Sequence, residues 1–519
     1  MIGCVITCVA TLICADVIMA QDADIPRWHP HDLIFSTDEI SHDNPFKVQF
    51  FATVKKPDGT EFDIAGFYDG NSSWKVRLSP TLEGLWSVET HSDELSLDGK
   101  KSSFTCVSNG NPNIHGGLLV DPSNPYHFVY EDGTRYFMMG YECDWLWALD
   151  MYDPDIPNLT KFLDLLKSYG FNNIILNAYA HDTSWCKGKT RDYDYGPPPK
   201  YAWEGTNEEP VHDRFNLEYW QHYDRVIDAL FERGITAHIM IKVYNKMVNC
   251  PKIGSPEDDM FFKWVIARYS SYPNVIWDFS KEANNEKNLE YKLDRFDFIK
   301  KHDPYKRLIT NHDDSKTYDE GAYNEVLDFR SDQQHSKWHE TILDQRNQNV
   351  FPVVNVEFGY EHGPEGIEDK TYGVVQPPEE VCRRAWEICL AGGYIAYYYT
   401  YTAWDVIRPE DIPPGYAYFK YIHEFFANTE YWLMNPADDL IEDGYCLANK
   451  GEEYIFFVNK VDILEIDLGH VSGLFEAYWY NPFTGESVDA DELTGGEHEI
   501  NPPIDWYGSP LALHVKKKG

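Results

Sequence analysis

The chain has 519 residues, enough for about two to four domains, because one hydrophobic core rarely grows past roughly 300 residues. Hydrophobic residues make up 43 % and charged residues 25 %, which excludes a disordered or membrane-filling chain. With 85 Asp and Glu against 45 Lys and Arg, the net charge of -40 excludes nucleic acid and anionic membrane surfaces as electrostatic partners, since both need basic patches.

The run Met1–Ala20 is apolar and stops at Gln21, as a signal peptide does, and cleavage after Ala20 is expected. The mature protein is then extracytoplasmic, secreted or periplasmic, without a membrane anchor; its oligomeric state is left open. Outside the leader the cysteines are Cys106, Cys143, Cys186, Cys250, Cys382, Cys389 and Cys446, too scattered for a disulfide framework or a zinc site. No metal and no cofactor are expected.

Residues 21–110 carry short alternating runs. Val48, Phe50, Ala52 and Val54 precede the turn Pro57-Asp58-Gly59, and Phe62 and Ile64 resume the pattern, which predicts a small β-sandwich. Residues 111–435 change texture. Phe162, Leu165, Leu166 and Tyr169 lie three and four apart, Gly170 stops that helix, and the buried-strand run Asn173-Ile174-Ile175-Leu176 follows. Trp220, Tyr223, Ile227 and Leu230 repeat the helical face before Gly234 and the strand Ala237–Ile241.

Adding Tyr136–Met139, Val275–Trp277, Leu308–Thr310, Val326–Phe329, Val353–Val356 and Tyr394–Tyr397 gives eight strands alternating with helices, the pattern of a (β/α)8 barrel. A doubly wound sheet is the other fold weighed, but no Gly-rich phosphate turn follows the first strand. Strands return over 436–519, with the turn Asn481-Pro482-Phe483-Thr484-Gly485, and predict a second β-sandwich. The expected architecture is a multidomain α/β protein, a (β/α)8 TIM barrel between two small β-sandwiches.

Barrel sites lie at the C-terminal strand ends, so the residues after each apolar run matter. They include Glu142, Asp144 and Trp145 after the first strand, His181 after the second, Asn245 after the third, and Lys281 and Glu282 after the fourth. His312 follows the fifth, Gln334 and His335 the sixth, Glu357 and Tyr360 the seventh, and Trp404 the eighth. Glu282 and Glu357 nearly face each other across an eight-stranded barrel. Such a carboxyl pair suits glycoside cleavage, in which one acid protonates the leaving oxygen and one carboxylate attacks or activates water. The other rim residues are expected to bind substrate.

Val275-Ile276-Trp277-Asp278-Phe279-Ser280-Lys281-Glu282 resembles the fourth-strand acid/base motif of clan A retaining glycoside hydrolases, and Val354-Asn355-Val356-Glu357-Phe358-Gly359 resembles their seventh-strand nucleophile motif. The resemblance implies Glu282 as acid/base, Glu357 as nucleophile and Trp404 as the floor of the cleavage subsite. It departs at Lys281, where that clan usually has an Asn on the sugar 2-hydroxyl; Asn284 is one substitute, and a charged sugar on Lys281 is another explanation. Gly140-Tyr141-Glu142-Cys143-Asp144-Trp145 is similar to the first strand of apiosidase-like barrels, and Trp479-Tyr480-Asn481-Pro482-Phe483-Thr484-Gly485 to the collagen-binding-type sandwich that often closes them.

Three alternatives stand beside this reading: an inverting hydrolase using Asp144, Asp182 or Asp313, a non-catalytic glycan-binding protein, and a metallohydrolase built on His181, Asp182, His312 and Asp313. Basic residues at Lys187, Lys189, Arg191, Lys242, Lys246 and Lys281 leave a charged poly- or oligosaccharide open as substrate.

Overall fold

The computed structural model describes residues 24–181, 200–314, 321–363, 375–402, 406–460 and 462–519. The expected leader 1–20 lies outside them. At the N-terminus a five-stranded sheet and a three-stranded sheet face each other, the first running Asp24–Pro26, Lys101–Val107, Gly84–Ser92, Phe50–Lys55, Glu61–Ala65 and the second His31–Ser36, Ser73–Leu78, Phe67–Gly70. Alternate residues point into the shared core of Leu33, Ala52, Val54, Trp74, Val76, Trp86 and Phe104, as the pleat demands.

The central barrel strands are β1 (Met139–Glu142), β2 (Asn173–Asn177), β3 (Thr236–Val243), β4 (Val275–Lys281), β5 (Ile309–Thr310 with His312–Asp313), β6 (Arg330–Asp332), β7 (Val353–Asn355) and β8 (Tyr394–Tyr399). All pair in parallel, β1 joins β8, and the two pieces of β5 pair with β4 and β6, so the ring closes across Asn311. The surrounding helices are α1 (Pro157–Ser168), α2 (Leu217–Glu232), α3 (Pro256–Tyr269), α4 (Leu289–His302), α5 (Trp338–Gln348), α6 (Pro378–Leu390) and α7 (Gly415–Ala427). Helix α1 stops as its sequence requires: Gly170 has φ 87°, and the N–H groups of Gly170 and Phe171 return to the carbonyls of Lys167 and Leu166.

The structure corrects the strand bounds. Tyr136 belongs to a small antiparallel sheet with Leu118–Val120 and Phe128–Tyr130, and the first barrel strand starts at Met139, where the sequence reading ended it. Val326–Phe329 is turn and bend, and the sixth strand starts at Arg330. The fourth strand runs on to Lys281. In each case polar side chains inside a strand break the apolar signal that sequence patterning follows.

The C-terminal residues form a six-stranded antiparallel sheet, from Asn435–Pro436 to Ser487–Asp489, and a two-stranded sheet of Leu464–Asp467 and Glu497–Ile500. Their core holds Tyr454, Phe456, Phe475, Trp479 and Leu513. A buried ion network ties the N-terminal sheets to the barrel helices: Arg77 Nη2 lies 3.2 Å from Asp224 Oδ2, and Arg268 Nη1 lies 3.1 Å from Asp69 Oδ1. Among the described residues no helix is long and apolar enough to cross a membrane.

Candidate active site

Strand β4 delivers Lys281 into the barrel mouth and ends there because Glu282 takes a left-handed conformation, φ 54° and ψ 46°. For a residue with a Cβ this costs about 1–2 kcal/mol. The turn leaves Glu282 partly exposed, with its Oε1 3.2 Å from Gln333 Nε2. Across the mouth, Glu357 follows β7 and is almost fully buried. Its Oε1 faces Lys281 Nζ at 2.9 Å and His312 Nε2 at 3.2 Å; the imidazole contact lacks hydrogen-bond alignment and is electrostatic. Its Oε2 accepts from Gln333 Nε2 at 3.0 Å and from the Tyr360 hydroxyl, with His335 Nε2 at 4.0 Å.

Lys281 is itself buried, and its ammonium pairs with Glu142 as well as Glu357, with Asp144 Oδ2 at 3.5 Å. The Tyr398 ring lies 5.6 Å away and offers its π-face. Burial disfavours the ammonium, but Asp144, Glu142 and Glu357 together hold its pKa well above the usual lysine value. Burial would also lift Glu357, yet Lys281 and His312 outweigh it and keep this carboxylate well below the ordinary glutamate range. Glu142 moves the other way: burial raises it well above that range, Lys281 counters only in part, and Glu357 and Asp144 add to the rise. One lysine thus serves three carboxyl groups, and it holds Glu357 ionised while Glu142 is pushed the other way.

A single nitrogen, Nε2 of Gln333, reaches both Glu282 Oε1 at 3.2 Å and Glu357 Oε2 at 3.0 Å. Because both contacts share one nitrogen, the bridged oxygens lie no farther apart than about 6 Å.

A family model for the apiosidase-like catalytic domain matches residues 122–432, which span the whole barrel. The chain belongs to the apiosidase-like family. It is a glycoside hydrolase. A second model, for a domain of unknown function termed DUF5060, matches residues 24–93 of the N-terminal sheets. A Bacteroides vulgatus ATCC 8482 structure described only as a candidate glycoside hydrolase is similar over 95 % of this chain and 100 % of its own, at 19 % identity and a TM-score of 0.80. A glycoside hydrolase family 5 structure from the same organism is similar over 78 % of this chain and 93 % of its own, at 17 % identity and a TM-score of 0.59. At such identities the likeness shows the fold. No curated protein matches the chain.

In this apiosidase-like barrel Glu142, Asp144, Lys281, His312, Tyr360 and Glu357 meet around one point, and His335 stands at its rim. Trp145 is buried behind Asp144 and stacks on Trp147 at 5.5 Å between ring centroids. Asn245 is exposed beyond β3, and His181 is partly exposed beyond β2. Gln334 turns its amide to Ser336 at the surface. Trp404 and Asp182 lie outside the described residues, as do Lys187, Lys189 and Arg191.

Lys242 points away from the cleft to Asp258 on α3, at 2.6 Å. Asn284 donates to Asp314 at 3.3 Å. Of the described residues considered for a cation, His181, His312 and Asp313, only His312 enters a cluster of suitable spacing, with Glu142 and Glu357, whose ligand atoms lie within 4.8 Å of one another. The Lys281 ammonium already touches both carboxylates of that cluster. The residue that sequence reasoning passed over is Gln333. Its signal was its place as the first residue after β6, visible only once that strand is known to end at Asp332.

Proposed function

We propose that this protein is an exported hydrolase of poly- or oligosaccharides that cleaves glycosidic bonds with retention, Glu357 serving as nucleophile and Glu282 as acid/base. The observation that carries the reading is the Gln333 bridge. A carboxyl separation of roughly 5 to 5.5 Å suits a double displacement, whereas inversion needs roughly 6.5 to 9.5 Å to admit a water molecule. In the first step Glu357 attacks the anomeric carbon while Glu282 gives its proton to the departing oxygen. In the second, Glu282 takes a proton from water, which releases the sugar from Glu357.

The environments fit these roles. Glu357 is buried among Lys281, His312 and Tyr360, which favour its anionic form before attack. Glu282 is partly exposed on its left-handed turn, where a leaving group and then water can reach it. The apolar leader 1–20 supports export.

The test is a screen of purified protein against a polysaccharide panel, repeated with Glu357→Gln. The variant is expected to fold normally and lose turnover by a factor of about 10⁴ or more. Turnover near the wild-type level in Glu357→Gln would refute the assignment.

A further inference from the structure

Lys281, Glu282 and His312 stand at the ends of β4 and β5, and one carboxyl group beneath them holds both strand ends. Asp278 of β4 is fully buried. Its Oδ1 accepts from the backbone N–H of Ser280 at 3.0 Å and from the backbone N–H of His312 at 3.0 Å. Its Oδ2 lies 2.9 Å from Nε2 of His238 on β3, an imidazole that is also buried.

These bonds displace the regular ladder. Strands β4 and β5 pair at Trp277 with Ile309 and at Asp278 with Thr310, and there the pairing stops. Continued in the same register, the ladder would bring the His312 N–H to the carbonyl of Phe279. The Asp278 side chain takes that N–H instead, β5 breaks at Asn311, and its second piece, His312–Asp313, pairs with β6. The break leaves His312 Nε2 at 3.2 Å from Glu357 Oε1.

On β4 itself Phe279 packs outward, on Phe262 of α3 and Phe296 of α4. Strict alternation would send Lys281, two residues on, to that same outer side. Lys281 reaches Glu142 and Glu357 in the mouth instead, and the bond from the Ser280 N–H back to Asp278 marks the residue at which the strand turns. Glu282 follows at once on its left-handed turn.

Resting on the retaining-glycosidase reading above, we propose that Asp278 is a positioning residue for the reaction. By drawing two backbone N–H groups out of the ladder it sets Lys281 and Glu282 on β4 and His312 on β5, and His238 fixes the face that the carboxyl group turns to them. Asp278 is shut off from solvent and touches no substrate, so its effect runs through the three groups it places.

The experiment measures kcat and KM on a nitrophenyl glycoside that the wild type cleaves, together with urea unfolding, for Asp278→Ala, Asp278→Leu and Asp278→Asn. Ala and Leu accept no hydrogen bond, and Leu also fills the space. Both are expected to lose about 10²-fold in kcat with KM changed less than about threefold, because misplaced groups slow the chemical step more than they weaken binding. Asn keeps an oxygen for the two N–H groups and is expected to stay within about tenfold of the wild-type kcat.

A merely structural role would lower the unfolding midpoint and leave the kcat of the folded protein unchanged. A folded Ala or Leu variant with kcat near the wild-type value therefore overturns the proposal. So does an Asn variant that loses about 10²-fold, since the effect would then rest on charge and not on the two bonds; this arm stands even where Ala and Leu fail to fold. Glu357→Gln is run beside them. Its loss of turnover with an unimpaired Asp278→Ala refutes the positioning role alone, whereas full turnover in Glu357→Gln refutes the catalytic reading on which the proposal rests.

Discussion

Lys281 Nζ stands 2.9 Å from Glu357 Oε1, and both side chains are almost entirely shut off from solvent. Two buried charges gain from such a contact only when their remaining bonds are also met. Here the ammonium turns its other sides to Glu142 and Asp144, and the carboxylate turns its second oxygen to Gln333 and Tyr360. The pair therefore favours the anionic form of Glu357, the nucleophile in the proposed mechanism, rather than simply tying two strands together.

Replacing Lys281 by Met removes the cation that holds Glu357 ionised. The native carboxyl pKa is depressed, so its loss of depression must move the acid limb of the kcat/KM profile to higher pH. The variant also leaves three buried carboxyl groups without their shared counter-ion, and a destabilisation of about 3–5 kcal/mol is expected. A pH–rate profile and a urea titration check both. An acid limb that stays in place would show that Lys281 does not set the charge of Glu357.

In the proposed mechanism, replacing Glu282 by Ala removes the proton donor but leaves the nucleophile. Glycosides with poor leaving groups should lose about 10²- to 10⁴-fold in rate, and activated aryl glycosides much less, because their departure needs little protonation. The check is a plot of rate against leaving-group pKa for both proteins. Parallel lines would deny Glu282 an acid role.

The barrel, its two flanking β layers and the opposed glutamates were legible because long apolar runs mark parallel strands buried on both faces. What patterning misplaced were the strand ends that carry chemistry. Glu142, Lys281 and Asp332 lie inside strands, where a charged residue reads as the start of a loop. Gln333 could not be singled out for the same reason, and Gln334, its neighbour, was preferred although it faces Ser336. The shared counter-ion role of Lys281 depends on three elements meeting at one point, which no local pattern encodes.

Glu361 makes a second pH prediction, on stability. It is buried, accepts from the Tyr397 hydroxyl at 2.6 Å and the Gly415 N–H at 3.0 Å, and its pKa is pushed up to about 7, mainly by burial. A carboxyl group whose folded pKa is raised keeps its proton where the unfolded chain, near pKa 4.3, has lost it. Its contribution is therefore favourable at pH 4 and declines as pH rises to about 7, by up to about 3 kcal/mol. In Glu361→Gln this decline is absent, so the variant should gain on wild type between pH 4.5 and pH 8. Urea unfolding of both proteins at the two pH values measures it, and an unchanged difference would contradict the shift.

The retaining mechanism faces its most direct test in the anomer that leaves the enzyme first, read by proton NMR within the first minutes of hydrolysis of a glycoside the wild-type protein cleaves. The Gln333 bridge, with contacts of 3.2 Å to Glu282 and 3.0 Å to Glu357, predicts a first product of the same anomeric configuration as the substrate. A first product of inverted configuration would contradict it and would require a different carboxyl group to act as base.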